Sequence, residues 1–140
     1  MKLKRMCAFC AAALMLASSA LPASAANIED TEWEFSISYN QMSYTTELRA
    51  KENASGTYVY YQGGTPTSLS CDVLNAYGKS MCRKIGSIKR YNKGLIAQYV
   101  YEEGYHSASL KVTAPSSTTY GGAEGVWSPD SVGSYPYINL

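Results

Sequence analysis

Hydrophobic and polar positions alternate with a period of two through much of the chain after residue 30. The first such segment, residues 32–40, turns four large side chains to one face: Trp33, Phe35, Ile37 and Tyr39. The second segment repeats the pattern with Met42, Tyr44, Thr46 and Leu48. This alternation is typical of half-buried antiparallel strands. Two strands joined by a turn near Asn40 and Gln41 are therefore predicted.

Further short segments rich in aromatic and β-branched residues follow, separated by Gly, Pro, Asn and Ser: residues 57–62, 68–74, 79–88 and 105–112. Residues 95–102 are apolar on both faces, which indicates a central strand or a short buried helix. Residues 113–122 read as a loop, and residues 128–131 favour a type I turn. About seven to eight strands at this spacing predict an all-β fold, a small antiparallel β-sandwich or barrel.

Residues 71–82, CDVLNAYGKSMC, hold the only two cysteines after residue 25. Asn75 and Gly78 suit the first and last positions of a type I turn, and a hairpin closed by that turn places Cys71 opposite Cys82, within reach of a disulfide. In the alternative, a helix capped by Ser70, the two cysteines would lie about 16 Å apart. We therefore predict a hairpin with a Cys71–Cys82 disulfide, which the chain-entropy relation values at roughly 3 kcal/mol.

Residues 1–25 have the organisation of a bacterial secretory signal peptide. Lys2, Lys4 and Arg5 precede an apolar run, and Ala-Ser-Ala ends at Ala25. Cleavage there, or after Ala26, leaves a single secreted domain over residues 26–140 with no membrane span expected. Cys7 and Cys10 depart with the leader. We expect an extracellular protein, in a compartment that favours the disulfide.

The charge of the mature domain is uneven. Three of the twelve basic residues and none of the eleven acidic ones lie in residues 1–25, which leaves nine against eleven and a formal net charge of −2. Six of those nine basic residues fall within 15 positions that contain no acid: Lys79, Arg83, Lys84, Lys89, Arg90 and Lys93. With Tyr91, this basic segment is a candidate patch for an anionic cell-envelope component or a protein partner. The alternative is a solvated edge strand that lysines protect from aggregation. No nucleic-acid partner is expected.

Catalytic and metal-binding chemistry have few candidates. His106 is the single histidine, and its alternation with Ala108, Leu110 and Val112 places it on an apolar face. No nucleophile elbow accompanies it, and a cysteine pair used in a disulfide leaves too few ligands for zinc. We predict no catalytic residue, no metal and no cofactor. The thirteen tyrosines favour a tyrosine-lined core over a sugar-binding or partner-binding face.

Three blocks, residues 44–61, 97–112 and 125–136, resemble an uncharacterised family of short secreted proteins of Gram-positive bacteria, a domain of unknown function. The Trp-Ser-Pro-Asp-Ser run that begins at Trp127 is the most specific part. That resemblance implies a signal peptide and a small secreted domain, but no activity. Residues 106–110 and 125–127 are also similar to lactococcin-like β-sandwich bacteriocins, which bind the cell-wall precursor lipid.

The sequence thus predicts a secreted, non-enzymatic domain that acts by binding. The first alternative is a bacteriocin-like antibacterial protein, and the second is a secreted hydrolase that uses His106.

Overall fold

The computed structural model describes residues 26–140, so the predicted leader lies outside the described residues. Over this range there are nine strands: β1 (Thr31–Ile37), β2 (Ser43–Thr45), β3 (Arg49–Ala50), β4 (Thr57–Gly64), β5 (Ser68–Leu74), β6 (Gly86–Lys89), β7 (Lys93–Ile96), β8 (Ser107–Thr113) and β9 (Gly121–Ser128). They form two antiparallel sheets that do not close into a barrel. The all-β prediction is confirmed, and of its two forms the sandwich is the one observed.

The first sheet has the order β1-β9-β4-β7, and the second has the order β2-β8-β5-β6, with β3 also paired to β8. In β1 the predicted alternation is confirmed, because Trp33, Phe35 and Ile37 are buried against the second sheet. Tyr39, predicted on the same face, is 83% exposed because the chain turns there, at residues 39–40.

The core consists of side chains that the two sheets turn towards each other. Its fully buried members include Val59, Tyr61 and Trp127 from the first sheet and Val73, Leu110 and Val112 from the second. Tyr61 also donates a hydrogen bond of 2.7 Å to the carbonyl of Pro66. Seven of the thirteen tyrosines are exposed, so a tyrosine-lined core describes only part of the set.

The predicted cysteine hairpin is correct in its turn and wrong in its register. Gly78 N donates to Asn75 O, as in a type I turn, but Gly78 has a φ of +75° and Asn75 N bonds to Lys79 O. A type I turn followed by a left-handed glycine adds one residue to the loop. Leu74 therefore pairs with Ser80 instead of Lys79. Cys71 lies opposite Gly86 on one side and Val112 on the other, not opposite Cys82.

Several predicted boundaries change. The second arm of that hairpin forms a regular strand only in β6. Of residues 95–102, Leu95 and Ile96 belong to β7 and residues 97–102 are loop and turn, so the strand expected there is present only at its start and no helix forms. Gly63 and Gly64, which read as a break, belong to β4, where a bulge shifts the pairing between Tyr61 and Gly63. The run from Met42 to Leu48 is reduced to the three residues of β2.

Residues 136–139 cover the edge of β7. Leu95 N donates to Pro136 O and Ile138 N to Leu95 O, both at 2.9 Å. Ile138 packs where two strands lack side chains, at Gly86 of β6 and Gly94 of β7. This segment therefore bridges the edge strands of the two sheets. Within residues 26–140, no helix has the length and apolar character needed to cross a membrane.

Candidate functional site

The basic segment, residues 79–93, surrounds the edge strand β6. Lys79, Arg83 and Lys84 precede the strand, Lys89 ends it, and Arg90 follows in the turn to β7. Five of the six basic side chains are exposed, and Arg90 is half-buried. The strand β6 spans about 10 Å from Gly86 to Lys89, so the cations that precede it are separated from those at its end. The charges are thus distributed along an edge instead of being collected in one pocket.

Three of these cations lie across tyrosine rings. Arg83 is 4.8 Å from the ring centre of Tyr99, Arg90 is 5.3 Å from that of Tyr91, and Lys93 is 4.9 Å from that of Tyr60. Two of the three rings come from outside the basic segment. Each such pair at an exposed site contributes about 0.5–1 kcal/mol. The pairs hold cation and ring together at the surface.

Tyr91 has the backbone conformation least expected of a bulky residue. Its φ is +70°, in the left-handed region that favours glycine, while its side chain is 67% exposed. The turn is held there because Tyr91 N donates to Tyr61 O at 2.7 Å and Tyr61 N donates to Asn92 O at 3.1 Å. Arg90 adds a hydrogen bond of 2.8 Å to Gly64 O. An exposed aromatic residue in a costly conformation is often found at functional surfaces.

Lys79 and Lys89 have no hydrogen-bond or ion-pair partner for their ammonium groups among the described side chains and carbonyls. Lys84 donates to Leu140 O at 3.3 Å. Lys79, Arg83 and Tyr99 also line a shallow depression of about 230 Å³ that contains one carboxylate, Glu103. The basic segment therefore keeps at least two ammonium groups available to an external anion.

An open groove of about 690 Å³ on the outer face of the first sheet was missed by the sequence reasoning. Glu34 and Glu124 stand directly opposite each other in the β1–β9 pairing, an arrangement that repels. Gly63 and Gly122 form part of the groove wall, where an added Cβ would meet nothing closer than 3.5 Å. The sequence signal that could have revealed the groove was the pair Gly63-Gly64, which directly follows the strand predicted at residues 57–62. This acidic groove does not suit the anionic ligand that the basic segment suits.

The predicted Cys71–Cys82 disulfide is not seen, and both thiols are free. Burial raises the pKa of Cys71 to about 12, with smaller contributions from Cys82 and Asp72. Burial also raises the pKa of Cys82 to about 12, although the backbone N–H of Val73 opposes it. Thiols with such values are almost entirely protonated at neutral pH and are poor nucleophiles.

His106 does not lie on the apolar face where the alternation placed it. It precedes β8 and is exposed, with its ring 6.5 Å from that of Tyr101 in an edge-to-face contact. The sequence pattern misplaced it because β8 begins at Ser107, two residues later than predicted. Its backbone carbonyl accepts a hydrogen bond from Lys51 N.

The most enclosed charged group in the described chain is an ion pair that the sequence reasoning did not identify. The side chains of Lys51 and Asp130 are completely buried and are in direct contact through Nζ and Oδ1. Lys51 Nζ also donates to Asn53 O at 2.8 Å and to Ser55 O at 2.7 Å. All three ammonium protons therefore have acceptors.

The carboxylate of Asp130 is equally well satisfied. Its Oδ2 accepts from Asn27 N at 2.8 Å and from Glu52 N at 2.9 Å, and Oδ1 accepts from Asn53 N at 3.4 Å. Burial lowers the pKa of Lys51, and the hydrogen bond and charge of Asp130 oppose that shift. The pair joins the loop after β3 to the end of β9. Its carboxylate belongs to the Trp-Ser-Pro-Asp-Ser run, so that run has a structural role.

Arg49 supports the same junction from its rim. It donates to Trp127 O at 3.2 Å and to Asn27 Oδ1 at 3.0 Å, and its guanidinium lies 5.6 Å from the Trp127 ring centre. Within residues 26–140, no three His, Cys, Asp or Glu side chains come together as a metal-binding group.

Comparison with known proteins gives one match. A family model described as "Protein of unknown function (DUF2712)" matches residues 21–131. No curated protein and no solved structure matches the chain significantly. The predicted resemblance to an uncharacterised family is thus confirmed, and the similarity to bacteriocins stays a prediction.

Proposed function

This chain belongs to the DUF2712 family, and since that description carries no activity, we propose that the domain acts outside the cytosol by binding an anionic polymer of a cell envelope. The proposed binding surface is the basic segment, residues 79–93, with the tyrosines that its cations contact. No chemical conversion of the ligand is part of the proposal.

The observation that supports this function most is the pairing of three basic side chains with tyrosine rings, Arg83 with Tyr99, Arg90 with Tyr91 and Lys93 with Tyr60. A lysine that only protects an edge strand has no need of a ring beneath it. A cation fixed over a ring has already lost part of its side-chain freedom, so less entropy is lost when an anion binds. The paired arrangement therefore favours recognition over simple solvation.

The distribution of charge favours a polymer over a small anion. Basic groups lie at both ends of β6, whereas residues 26–140 as a whole carry a net charge of −2. A small anion would contact one end of the strand only. A chain with a repeating negative charge could contact several cations at once, and each contact would raise the affinity through multivalency.

Co-sedimentation with a bead-linked poly(glycerol phosphate) tests the proposal. Lys89→Gln should reduce the bound fraction several-fold at low salt. The matched control is Lys111→Gln, because Lys111 lies outside the basic segment on β8, which β5 separates from β6 in the second sheet. If the two variants bind equally, the basic segment is not the binding surface. If neither the wild-type protein nor the control binds the polymer at low salt, the polymer proposal fails and a protein partner becomes the next hypothesis.

A further inference from the structure

We propose that Lys51 and Asp130 join covalently in the folded protein, by an isopeptide bond between Lys51 Nζ and Asp130 Cγ. The inference is independent of the binding function. It rests first on geometry, because Nζ is in direct contact with the carboxylate and both side chains are completely buried. The two residues are 79 positions apart in the chain and meet only after folding.

The reaction balances within the pair itself. One ammonium proton moves from Nζ to Oδ1, which gives a neutral amine beside a protonated carboxyl group. The amine nitrogen then attacks Cγ, and a second proton moves from nitrogen to the departing Oδ1. The Nζ–Cγ bond forms, the Cγ–Oδ1 bond breaks, and one water molecule leaves. One proton stays on the new amide nitrogen, and no oxidant, reductant or external base is consumed.

Two backbone groups are placed to stabilise the intermediate. Asn27 N and Glu52 N lie 2.8 and 2.9 Å from Oδ2, the oxygen that is retained. Attack at Cγ places negative charge on that oxygen, and donors at such distances stabilise developing oxyanions. The oxygen that leaves, Oδ1, is the one in contact with the amine. Each oxygen of Asp130 therefore has partners that fit a different part in the reaction.

The product would keep its main buried polar atoms paired. An amide has a single N–H, so only one of the two carbonyls now bonded to Nζ can keep that donor. Ser55 O also accepts a hydrogen bond of 3.0 Å from Gln98 Nε2, and it therefore remains bonded. The amide N–H can then serve Asn53 O, which now accepts from Nζ at 2.8 Å. Two contacts are then lost, the bond from Nζ to Ser55 O and the 3.4 Å contact of Asn53 N with Oδ1.

The surroundings favour reaction over the separated ions. Burial lowers the pKa of Lys51, which makes the neutral amine easier to reach. Exclusion of water removes the medium that would stabilise both ions. Groups that the fold holds together can reach effective molarities of about 10⁵ M when they are well oriented. The hydrogen bonds to Nζ and to Oδ2 favour the ionic forms, so the bond is expected to form slowly after folding instead of during it.

Intact-mass spectrometry of the purified, folded protein tests the inference, with reductant present so that any disulfide is open. The expected mass is that of the processed chain less one water molecule. Trypsin should then release one branched peptide in which residues 50–79 and 112–140 are joined through Lys51 and Asp130. A mass equal to that of the full processed chain, with residues 50–51, 52–79 and 112–140 released as separate peptides after prolonged incubation of the folded protein, would overturn the proposal.

Lys51→Arg distinguishes this bond from other dehydrations. Asp130 precedes Ser131, and cyclisation onto the Ser131 nitrogen would also remove one water molecule. The guanidinium of arginine keeps the positive charge but is a poor nucleophile, so the variant should show the full mass. If Lys51→Arg loses water as the wild-type protein does, the cyclic imide explains the loss and the crosslink is refuted. The branched peptide of the wild-type protein decides the question even if the variant does not fold.

Discussion

Replacing Lys51 by Met removes the cation from a fully buried ion pair and leaves the charge of Asp130 in place. Loss of one partner of such a pair generally costs about 3–5 kcal/mol, because the remaining charge is buried without compensation. Here the Asp130 carboxylate keeps three backbone N–H donors, from Asn27, Glu52 and Asn53. We therefore expect Lys51→Met to fall near the lower end of that range.

Asp130→Asn should cost more, near about 5 kcal/mol, because the ammonium left behind has no counter-charge. The Lys51 ammonium keeps two acceptors outside residue 130, the neutral backbone carbonyls of Asn53 and Ser55. The new amide group can also turn only one oxygen towards the three backbone donors that Asp130 now serves. Domains of this size are generally stable by about 5–15 kcal/mol, so either variant should lose a large share of the stability.

Urea denaturation measures the loss of stability in both variants, with the fluorescence of the buried Trp33 and Trp127 as the signal. The wild-type reference should be protein of determined intact mass, since a crosslinked fraction would unfold separately. Lys111→Met is the matched control, because Lys111 is only half-buried and should change stability by less than about 0.5 kcal/mol. A loss below about 1 kcal/mol in both Lys51→Met and Asp130→Asn would refute this account of the ion pair.

Three further predictions concern packing and pH. Gly125→Ala should destabilise the domain by about 3 kcal/mol in urea denaturation, because its Cβ would lie 2.2 Å from Tyr60 O and 2.5 Å from the Trp33 ring. The control Gly122→Ala should be near neutral, because its Cβ would have no atom closer than 3.5 Å. Equal losses of stability in the two variants would contradict the reasoning. Ile138→Ala should cost about 1–2 kcal/mol and speed hydrogen exchange at Leu95, whose N–H bonds to the covering segment; unchanged exchange there would show that the segment does not protect β7. Burial raises the pKa of Tyr58 to about 12, above the unfolded value of about 10, so the stability that this shift contributes is present below pH 10 and is lost as the pH rises towards 12. Thermal denaturation across that window should show a smaller loss of stability in Tyr58→Phe than in the wild-type protein. Identical pH profiles of the two proteins would argue against the shift.

The local pattern was sufficient to predict an all-β sandwich or barrel, but not to choose between them or to predict the pairing of the strands. The bounds of β5, Ser68–Leu74, agree with the predicted segment because its alternation and its flanking turns are local signals. The register of the hairpin that begins in β5 was wrong by one residue at its turn, since the left-handed conformation of Gly78 adds a residue to the loop. At Cys71, which lies opposite Gly86 instead of Cys82, it was wrong by four residues. Whether a glycine after a type I turn takes that conformation depends on the twist of the flanking strands, which the local sequence does not specify.

The candidate site shows the same division between local and distant information. The basic segment is contiguous, so the sequence was enough to find it, and all six of its cations lie around β6 and β7. Its partners Tyr60 and Tyr99 come from other parts of the chain, and only the fold brings them to the cations. The pair of Lys51 and Asp130 was missed for the same reason, because nothing local distinguishes a lysine that will be buried from one that will be solvated.

Titration of the domain with soluble poly(glycerol phosphate) at two salt concentrations tests the central claim most directly. At about 10 mM salt the screening length is about 30 Å, whereas at about 1 M it is about 3 Å. The account predicts binding at low salt that is lost at high salt, and weaker binding by Lys93→Gln than by Lys111→Gln. Binding that is unchanged at high salt, or equal in the two variants, would contradict it.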